Sequence, residues 1–582
     1  MASKTSLLVA AIDFGTTYSG WAFSFKHEYD ADPTKISGKQ WFGGQLVSLK
    51  APTTVLITPD GKTLDSFGYD AETKYADLAS NDSSEYKHWY YFRRFKMMLH
   101  GKLTFDRNIS LEDETQKSLP AHAVFSLVIR YLKEDMLNTS RERLGSGHLT
   151  EDEITWVLTV PAIWNDAAKQ FMREAAVEAG IKSENLRIAL EPETASIFCR
   201  LLPVEKMIEG GGMSSFKPGS KYMVLDAGGG TVDITVHEVM PGGTLKEIHK
   251  ASGGAWGGTQ VDEAFKQFII SLIGNPVFYR FQTESKEDYL DMLRDFEIKK
   301  REIAPGNNKK VTFRLPSSLK EIFEEETDED FRVAIKQTKY ADKISLSSDK
   351  LRVDDSVMKS LFSNAVQSTV SHLKDMMNNS GVRGISSILM VGGFSESKML
   401  QGAIKSNFPD IKIIVPQEAG LVVLKGAVVF GHSPFSIAQR VCKYTYGVAT
   451  TQRFDDKIHD PTKRIQYEDG PRCNDIFSKH VEIGQPISLN ETTEEKLYFP
   501  RAENQRSVAI HVYASTKISP MYVTDAGCVK LGKVEVDILD ISVPRKERSV
   551  LVSMTFGGTE FEVKAREERT GKITKATVNF LG

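Results

Sequence analysis

The sequence of 582 residues has little cysteine, little net charge and no long apolar run. Its four cysteines, Cys199, Cys442, Cys473 and Cys528, are scattered and lack metal-ligand spacing, which favours a reducing compartment. No window offers the ~20 apolar residues that a membrane span needs. No small-residue cleavage site follows the first apolar run, so we expect no signal peptide. These absences predict a cytoplasmic protein without a membrane span.

The charges of the sequence are nearly balanced, with 74 Lys and Arg against 77 Asp and Glu and a net charge of −3. Such a chain has no overall basic field that would recruit nucleic acid or an anionic membrane. Residues 86–99 are both aromatic and basic, which is a feature of some nucleic-acid-binding surfaces. In a near-neutral chain such a run is more often a packed helix. We therefore expect no nucleic-acid partner.

The length of the sequence exceeds what one hydrophobic core supports, so we expect two or more domains. Hydrophobic residues make up 41% and charged residues 26%, as in ordinary soluble globular proteins. Up to about residue 433, apolar strands alternate with helices, for example one that Asn165 caps and Gly180 ends. This alternation predicts an α/β fold with largely parallel sheets. From about residue 443, apolar and polar residues alternate with period two, which predicts a compact antiparallel β domain.

Residues 223–236 form the pattern around which we interpret the chain. They comprise an apolar strand, a turn and a second apolar strand, and the turn contains Gly228, Gly229, Gly230 and Thr231 between Asp226 and Asp233. Three glycines remove every Cβ from the turn, so its backbone N–H groups can approach a phosphate closely. The flanking carboxylates suit the water shell of Mg²⁺. Taken alone, the same pattern also fits an ordinary tight hairpin.

Two further units resemble this pattern. An apolar strand at residues 6–12 leads into Asp13, Phe14, Gly15, Thr16 and Thr17, and a return strand follows at residues 18–25. A third strand, residues 388–391, enters the pair Gly392 and Gly393. The first two units are more than two hundred positions apart, which suggests an internal duplication. Each copy would supply one wall of a phosphate-binding cleft.

The motifs of the sequence occur in the order of the actin-like ATPase superfamily. They are Asp13-Phe14-Gly15-Thr16-Thr17, Val160-Pro161-Ala162, Glu191-Pro192, residues 226–233 and Val391-Gly392-Gly393. Within that superfamily the chain resembles the seventy-kilodalton heat-shock chaperones, and more closely the divergent member-twelve branch of heat-shock family A. The resemblance spans essentially the whole chain.

The resemblance implies a two-lobed, actin-like ATPase domain over residues 1–433, with lobe I at about 1–203 and lobe II at about 221–433. Both lobes would be mixed-sheet α/β subdomains related by duplication. A β-sandwich-like domain that binds a substrate or partner would follow at 443–582. The family's helical lid has no counterpart before Gly582, and its acidic, leucine-rich linker has none in residues 432–440. The sequence therefore leaves open whether the nucleotide state of the ATPase domain is coupled to binding by the β domain.

The resemblance also implies ATP or ADP with Mg²⁺ as cofactors. Asp13 and Asp226 would hold Mg²⁺ through its waters, with Asp233 also near the metal. Glu191 matches the acid that orients the attacking water. Lys96 resembles the lysine that steadies the γ-phosphate, although Arg93, Arg94 and Lys102 compete for that role. The catalytic residues implied in this way are Glu191, Asp226, Lys96 and Asp233.

Further residues are matched to nucleotide contacts. The phosphate-binding set is Gly15, Thr16, Thr17, Tyr18, Gly228, Gly229, Gly230, Thr231, Gly257 and Gly258, together with Asp13. The ribose and base set is Glu297, Lys300, Arg301, Gly392, Gly393 and Phe394. Glu297, Lys300 and Arg301 lie on one helical face and also fit a surface ion-pair group. The sequence departs from the family at Phe394 and at Glu396, where an arginine usually packs on adenine, so base selectivity is open.

We expect an atypical heat-shock chaperone in which slow ATP hydrolysis controls a β domain that binds protein or peptide clients, with co-chaperones as further partners. One alternative is a nucleotide-binding interaction protein with negligible hydrolysis. A second is a small-molecule kinase of the same superfamily, and a third is an actin-like filament.

Overall fold

The computed structural model describes residues 6–43, 46–80, 84–101, 107–144, 149–203, 207–209, 216–306, 308–467, 469–538, 541–556, 558 and 560–577. Lys102, named above as a competitor of Lys96, lies outside the described residues. None of the described helices is long and apolar enough to cross a membrane.

Lobe I is built on a mixed sheet. Its strands lie in the spatial order Leu186–Leu190, Ile154–Val160, Leu8–Phe14, Tyr18–Phe25 and Ser37–Gly38, with Ala51–Pro52 beside the fourth. The first three strands are parallel, whereas Leu8–Phe14 and Tyr18–Phe25 form an antiparallel hairpin, the first hairpin. Every residue of Leu8–Phe14 is buried, because helices cover both faces of the sheet.

Lobe II repeats this arrangement. Its strands lie in the order Met207–Glu209, Lys412–Pro416, Ile385–Val391, Lys221–Ala227, Val232–Val239, Leu245–Gly254, Ile437–Val441 and Pro486–Ser488. Lys221–Ala227 and Val232–Val239 form the second hairpin, and Ile385–Val391 is parallel to the first of these strands. The same strand directions in both sheets confirm the duplicated, actin-like fold that the motifs predicted.

The remaining elements surround these sheets. In lobe I they are helices Lys26–Ala31, Tyr69–Ser80, Ala121–Leu144, Asp166–Glu178 and Glu191–Cys199, and strands Trp41–Gly43, Leu46–Ser48, Thr54–Ile57, Leu64–Phe67, Tyr90–Arg93, Ser110–Glu112 and Ser118–Pro120. In lobe II they are helices Thr259–Ile273, Asn275–Glu284, Lys286–Lys300, Ser317–Thr327, Phe331–Gln337, Asp355–Ser360, Ser363–Met377, Lys398–Asn407 and Val422–His432, and strands Val311–Arg314, Ile344–Ser347 and Lys350–Val353.

The aromatic and basic stretch at residues 86–99 is not the packed helix that we predicted. It contains the end of a 3₁₀ turn at Ser84–Lys87, strand Tyr90–Arg93, and a second 3₁₀ turn at Phe95–Leu99. The strand pairs with Thr54–Ile57, and aromatic residues favour strands. Arg94 then adopts a left-handed conformation with φ of 54°, which separates the strand from the following turn.

Local sequence explains the helix that carries Glu191. Strand Leu186–Leu190 leads directly into helix Glu191–Cys199, where Pro192 occupies the first turn as predicted. This helix crosses Val422–His432 so closely that a Cβ on Gly426 would lie 1.9 Å from the carbonyl oxygen of Thr194. The two helices fill the space between the lobe sheets. The close crossing fixes the position of Glu191 at the carboxyl edge of its strand.

The helix before that strand follows the predicted capping. Helix Asp166–Glu178 begins after Asn165, whose Oδ1 accepts a hydrogen bond from Ala168 N at 2.9 Å. The helix ends before Gly180, which has φ of 91°.

The C-terminal part is a sandwich of two antiparallel sheets. One contains Arg464–Tyr467, Gly470–Val481, Thr445–Arg453, Ser507–Ser515 and Cys528–Asp537, and the other Lys496–Tyr498, Val550–Thr555, Glu562–Glu567 and Ile573–Thr577. The alternating apolar residues Val508, Ile510 and Val512 face its core as predicted. The described residues after 441 contain two 3₁₀ turns, Pro461–Lys463 and Arg545–Glu547, and no α-helix, so no helical lid is formed by them.

Candidate functional site

A cleft of about 1110 Å³ lies between the lobes, at the edge where both hairpins turn. Of the predicted site residues, those that line it are Asp13, Gly15, Thr16, Thr17, Tyr18, Lys96, Glu191, Asp226, Gly228, Gly229, Gly230, Thr231, Gly258, Glu297, Lys300, Arg301, Gly392, Gly393 and Phe394. Two predicted residues, Asp233 and Gly257, lie behind this lining. The structure therefore brings together side chains that are up to about four hundred positions apart.

The turns of the two hairpins meet at the floor of the cleft. A Cβ on Gly229 would lie 2.1 Å from Oγ1 of Thr17, and one on Gly230 would lie 2.6 Å from Oγ1 of Thr16. Any larger residue would separate the lobes or displace the threonines. The second hairpin needs glycine here because the lobes approach each other so closely.

The Gly257-Gly258 pair supports the second hairpin. The N–H groups of Gly258 and Thr259 donate to the carbonyls of Gly228 and Gly229 at 3.1 and 2.8 Å. A Cβ on Gly257 would lie 2.4 Å from the Gly229 carbonyl oxygen. Gly257 is thus a packing residue of the turn, while Gly258 lines the cleft.

Asp13 is the penultimate residue of strand Leu8–Phe14 and is buried. Thr159 donates to its Oδ1 at 2.7 Å, and Lys50 forms an ion pair with its other oxygen. Burial opposes ionisation, but Lys50 and Lys96 outweigh it and hold the pKa of Asp13 below its usual range. Asp13 is therefore a stable anion in the cleft floor.

Asp226 and Asp233 face each other as a register pair of the second hairpin. Ile163 N donates to Oδ1 of Asp233 at 2.8 Å, whereas Oδ2 of Asp226 is buried without a hydrogen-bond partner. Burial is the largest effect on the pKa of Asp226, and repulsion from Glu191, Asp233 and Asp13 adds to it. Together they raise this pKa well above its usual range. Asp226 thus has an unsatisfied buried oxygen and a charged form that its surroundings disfavour, and a nearby cation would favour that charged form.

Glu191 and Lys96 form an ion pair beside these aspartates, with Nζ of Lys96 2.8 Å from Oε1 of Glu191. Lys96 is only 2% exposed, and its ammonium lies 4.9 Å from the ring centroid of Trp164. Burial raises the pKa of Glu191 to about 7, against the attraction of Lys96. Arg93 and Arg94 were named above as competitors of Lys96, and it is Lys96 that pairs with Glu191.

These acids fit a hydrated cation. Among the described residues, no three His, Cys, Asp or Glu side chains are grouped closely enough to ligate a metal directly. Mg²⁺ keeps several waters and needs few carboxylates, so Asp13, Asp226 and Asp233 would act through its water shell. The unpartnered oxygen of Asp226 and the mutual repulsion of the acids support this fit.

The opposite end of the cleft carries the predicted ribose and base residues. Arg301 pairs with Glu297 at 2.7 Å and donates to the Tyr18 hydroxyl at 3.3 Å. Lys300 pairs with Asp262 at 2.6 Å. The ion-pair group that the spacing allowed is therefore formed, and it also lines the cleft.

Residues 392–396 form the facing wall. Gly392 has φ of 85°, and a Cβ there would lie 2.4 Å from Oδ1 of Asp226, so the position requires glycine. Gly393 has no such neighbour. Phe394 is buried, and Oε1 of Glu396 accepts a hydrogen bond from Gly420 N at 3.1 Å. The wall thus presents a carboxylate at residue 396, as the sequence indicated.

Sequence reasoning missed several residues of the site. Lys50, Thr159 and Asp262 carry no local motif, because each is defined by a partner far away in the chain. Thr159 directly precedes the Val160-Pro161-Ala162 motif and Ile163 directly follows it, and this proximity to a motif was the available indication for both.

The fold and cleft define an actin-like nucleotide-binding protein with two lobes. The chain belongs to the Hsp70 family, because the family model described as Hsp70 protein matches residues 106–432. It is 35% identical to mouse Heat shock 70 kDa protein 12A and 34% identical to human Heat shock 70 kDa protein 12B. Each alignment covers 99% of this chain, and 92% and 91% of these relatives respectively.

A more distant relative is the Chaperone protein dnaK of Cyanidium caldarium, 23% identical over 75% of this chain and 60% of that protein. The chain is thus an Hsp70-like nucleotide-binding protein of the branch that the motifs indicated. Members of this family generally bind ATP or ADP with Mg²⁺.

Proposed function

We propose that this chain is a slow ATPase of the heat-shock type, in which nucleotide in the interlobe cleft controls protein or peptide binding by the C-terminal sandwich. The observation that carries the proposal is the ion pair of Glu191 and Lys96, 2.8 Å long, between the two glycine turns. An acid with a neutral-range pKa at the phosphate end of a cleft suits the activation of water. We assign the ATPase domain to residues 1–433 and the binding domain to 443–582.

Each group at the cleft floor has a distinct role in this proposal. Glu191 orients the attacking water and accepts its proton, and Lys96 places a positive charge beside the transferred phosphoryl group. The backbone N–H groups of the two glycine turns hold phosphate oxygens. When bound, Mg²⁺ would neutralise phosphate charge, held through water by Asp13, Asp226 and Asp233. Positioning and electrostatics thus supply most of the catalysis.

The sandwich is proposed to bind a protein segment. It exposes apolar side chains, which include Leu497, Phe499, Ile518 and Met521. Exposed apolar side chains suit contact with an extended peptide, either in an apolar groove or by strand addition. Co-chaperones that act on the nucleotide cycle are proposed as further partners.

A second candidate function is a nucleotide-dependent interaction protein with negligible hydrolysis. This function is favoured by Glu396, whose carboxylate lies at the base end of the cleft. The carboxylate accepts a hydrogen bond from Gly420 N, and position 396 therefore supplies no cation that could stack on an adenine ring. Nucleotide would then stabilise the closed lobes without being turned over.

Single-turnover ATP hydrolysis, measured beside nucleotide affinity, tests the proposal on the wild type and on Glu191→Ala. We expect both proteins to bind nucleotide and only the wild type to hydrolyse it, with a rate loss of about 10²-fold or more in the variant. Binding without hydrolysis in either protein would contradict the ATPase and favour the second candidate. Equal hydrolysis in both would show that Glu191 does not activate water.

A further inference from the structure

Lys443 lies between the two parts of the chain, just after strand Ile437–Val441 and just before the sandwich strand Thr445–Arg453. Its ammonium does not point into the sandwich. It donates instead to two consecutive carbonyls of lobe I, those of Ile163 and Trp164, the latter at 3.1 Å. The segment that precedes the sandwich thus contacts the loop behind the cleft.

Ile163 connects this contact to the cleft floor. Its carbonyl accepts from Lys443, and its N–H donates to Oδ1 of Asp233 at 2.8 Å. A single residue is therefore hydrogen-bonded on one side by the sandwich segment and on the other by a proposed catalytic aspartate. Ile163 alone therefore separates Lys443 from Asp233 along this path.

Trp164 provides a second connection. Its carbonyl accepts from Lys443, and its buried ring lies 4.9 Å from the ammonium of Lys96, which pairs with Glu191. Burial lowers the pKa of Lys443 to about 7, while Asp166 and Asp233 act in the opposite direction. Lys443 is thus connected to the cleft floor through both Ile163 and Trp164.

The contacts of Lys443 differ from those that merely dock the sandwich on lobe I. Arg173 of lobe I pairs with Glu560 of the sandwich, with Nε 2.6 Å from Oε1, and its other contacts are carbonyls at residues 183 and 186. The Tyr446 hydroxyl donates to Asp166 at 2.8 Å. Neither contact reaches a residue of the cleft floor, so docking alone does not require Lys443 to bond residues 163 and 164.

We propose that Lys443 is a positioning residue of the ATPase centre, which holds Ile163 and Trp164 so that Asp233 and Lys96 keep their places at the cleft floor. The inference rests on the proposed hydrolysis for its kinetic test, but its geometric content stands on the hydrogen bonds alone. The proposal means that the sandwich side of the chain contributes directly to the ordering of the phosphate end.

The test uses the full chain with Lys443→Met, Lys443→Arg and the docking control Glu560→Gln. Methionine keeps the stem and removes the donor, whereas arginine retains several donors that can reach both carbonyls. We expect Lys443→Met to lower the single-turnover rate about tenfold with the KM for ATP within twofold. Lys443→Arg should recover most of the rate, and Glu560→Gln should leave it unchanged.

Two results would overturn the inference. One is an unchanged rate in a folded Lys443→Met protein, and the other is an equal loss in Glu560→Gln, which would indicate general docking. Lys443→Gln, which keeps a polar group at the site, replaces the methionine variant if thermal denaturation shows that the latter does not fold.

A second readout separates this inference from the proposed function. If the wild type binds nucleotide without hydrolysing it, the ATPase proposal fails by itself. The inference is then judged by the increase in ADP affinity that Mg²⁺ produces, since Asp233 is proposed to lie near the metal. We expect this increase to be several-fold smaller in Lys443→Met than in Glu560→Gln. An identical increase in the two variants would overturn the inference.

Discussion

Arg94 of lobe I and Asp262 of lobe II join the two walls of the cleft, with Nη2 and Oδ2 2.6 Å apart. Lys300 pairs with the other oxygen of the same carboxylate at 2.6 Å. Burial acts to raise the pKa of Asp262, but the two cations together outweigh burial and hold this pKa below its usual range. The ion pair spans the lobes and thereby stabilises the closed cleft.

Replacing Arg94 by Gln is expected to speed nucleotide release. Arg94 is partly exposed, so we expect a contribution of about 1 kcal/mol and a dissociation rate raised about fivefold. Lys300 still pairs with Asp262 in the variant, so no buried charge is left alone. Stopped-flow release of a fluorescent nucleotide measures the effect. High salt should speed release from the wild type more than from the variant, and equal salt effects would contradict the role of the pair.

Gly229→Ala and Gly393→Ala form a matched pair. The new Cβ at Gly229 would lie 2.1 Å from Thr17, so we expect a loss of about 1–3 kcal/mol in the free energy of unfolding. A Cβ at Gly393 would lie more than 4 Å from every heavy atom beyond its chain neighbours, so stability should be unchanged. Gly393 is proposed to contact the nucleoside, so we expect Gly393→Ala to weaken nucleotide binding about tenfold although stability is unchanged. Thermal denaturation and titration calorimetry distinguish the two effects, and equal destabilisation would contradict the geometry.

Asp226→Asn and Asp13→Asn should have opposite effects on the nucleotide-free protein. Burial and repulsion from three neighbouring acids both disfavour the charged form of Asp226, so its neutralisation should raise the free energy of unfolding. Asp13 pairs with Lys50, so its neutralisation should lower that free energy. Both variants should lose the additional stabilisation that Mg²⁺ gives in the presence of ADP. Denaturation with and without Mg·ADP measures all three effects, and a destabilised Asp226→Asn protein would contradict the expected repulsion.

Glu247 is expected to make stability depend on pH. Its Oε2 accepts from Val441 N at 2.9 Å, and burial raises its pKa to about 7 from the usual 4.5. The folded state therefore binds more protons than the unfolded state between pH 4.5 and 7. Protonation of Glu247 therefore contributes to the free energy of unfolding. This contribution is fully present below pH 4.5 and is lost as the pH rises through 7, and it amounts to about 3 kcal/mol at most. Thermal denaturation from pH 5 to 8 should show a flatter profile for Glu247→Gln, and parallel profiles would contradict this assignment.

The parts of the site that the sequence predicted are local patterns. Asp226, the three glycines and Asp233 lie within eight positions, and the turn that they encode forms the hairpin that the motif requires. The duplication was also visible, because each copy is a short strand and turn. Residues 86–99 were misjudged because an aromatic run fits a helix or a strand, and the pairing with Thr54–Ile57 decides between them.

The parts that sequence reasoning missed depend on distant partners. Lys50 meets Asp13, and Arg94 meets Asp262, across gaps that no spacing rule covers. Residues 432–440 lack the family's linker pattern, yet Ile437–Val441 forms a strand because the edge of the lobe II sheet is available to it.

The shared sheet of lobe II has a consequence for dividing the chain. Ile437–Val441 pairs with Leu245–Gly254, and Pro486–Ser488, a strand from the sandwich side, pairs with Ile437–Val441 in turn. A recombinant fragment that ended at residue 433 would remove the partner strand of Leu245 and Lys246, where the two strands pair, and would expose the sheet edge there. Exposed strand edges of this kind promote association between copies. A boundary just beyond residue 488 would keep the lobe II sheet intact, but it would remove Ser507–Ser515, the partner of Thr445–Arg453, and expose a strand edge of the sandwich instead. The lobe II sheet therefore cannot be separated from the sandwich by a single cut without exposing a strand edge.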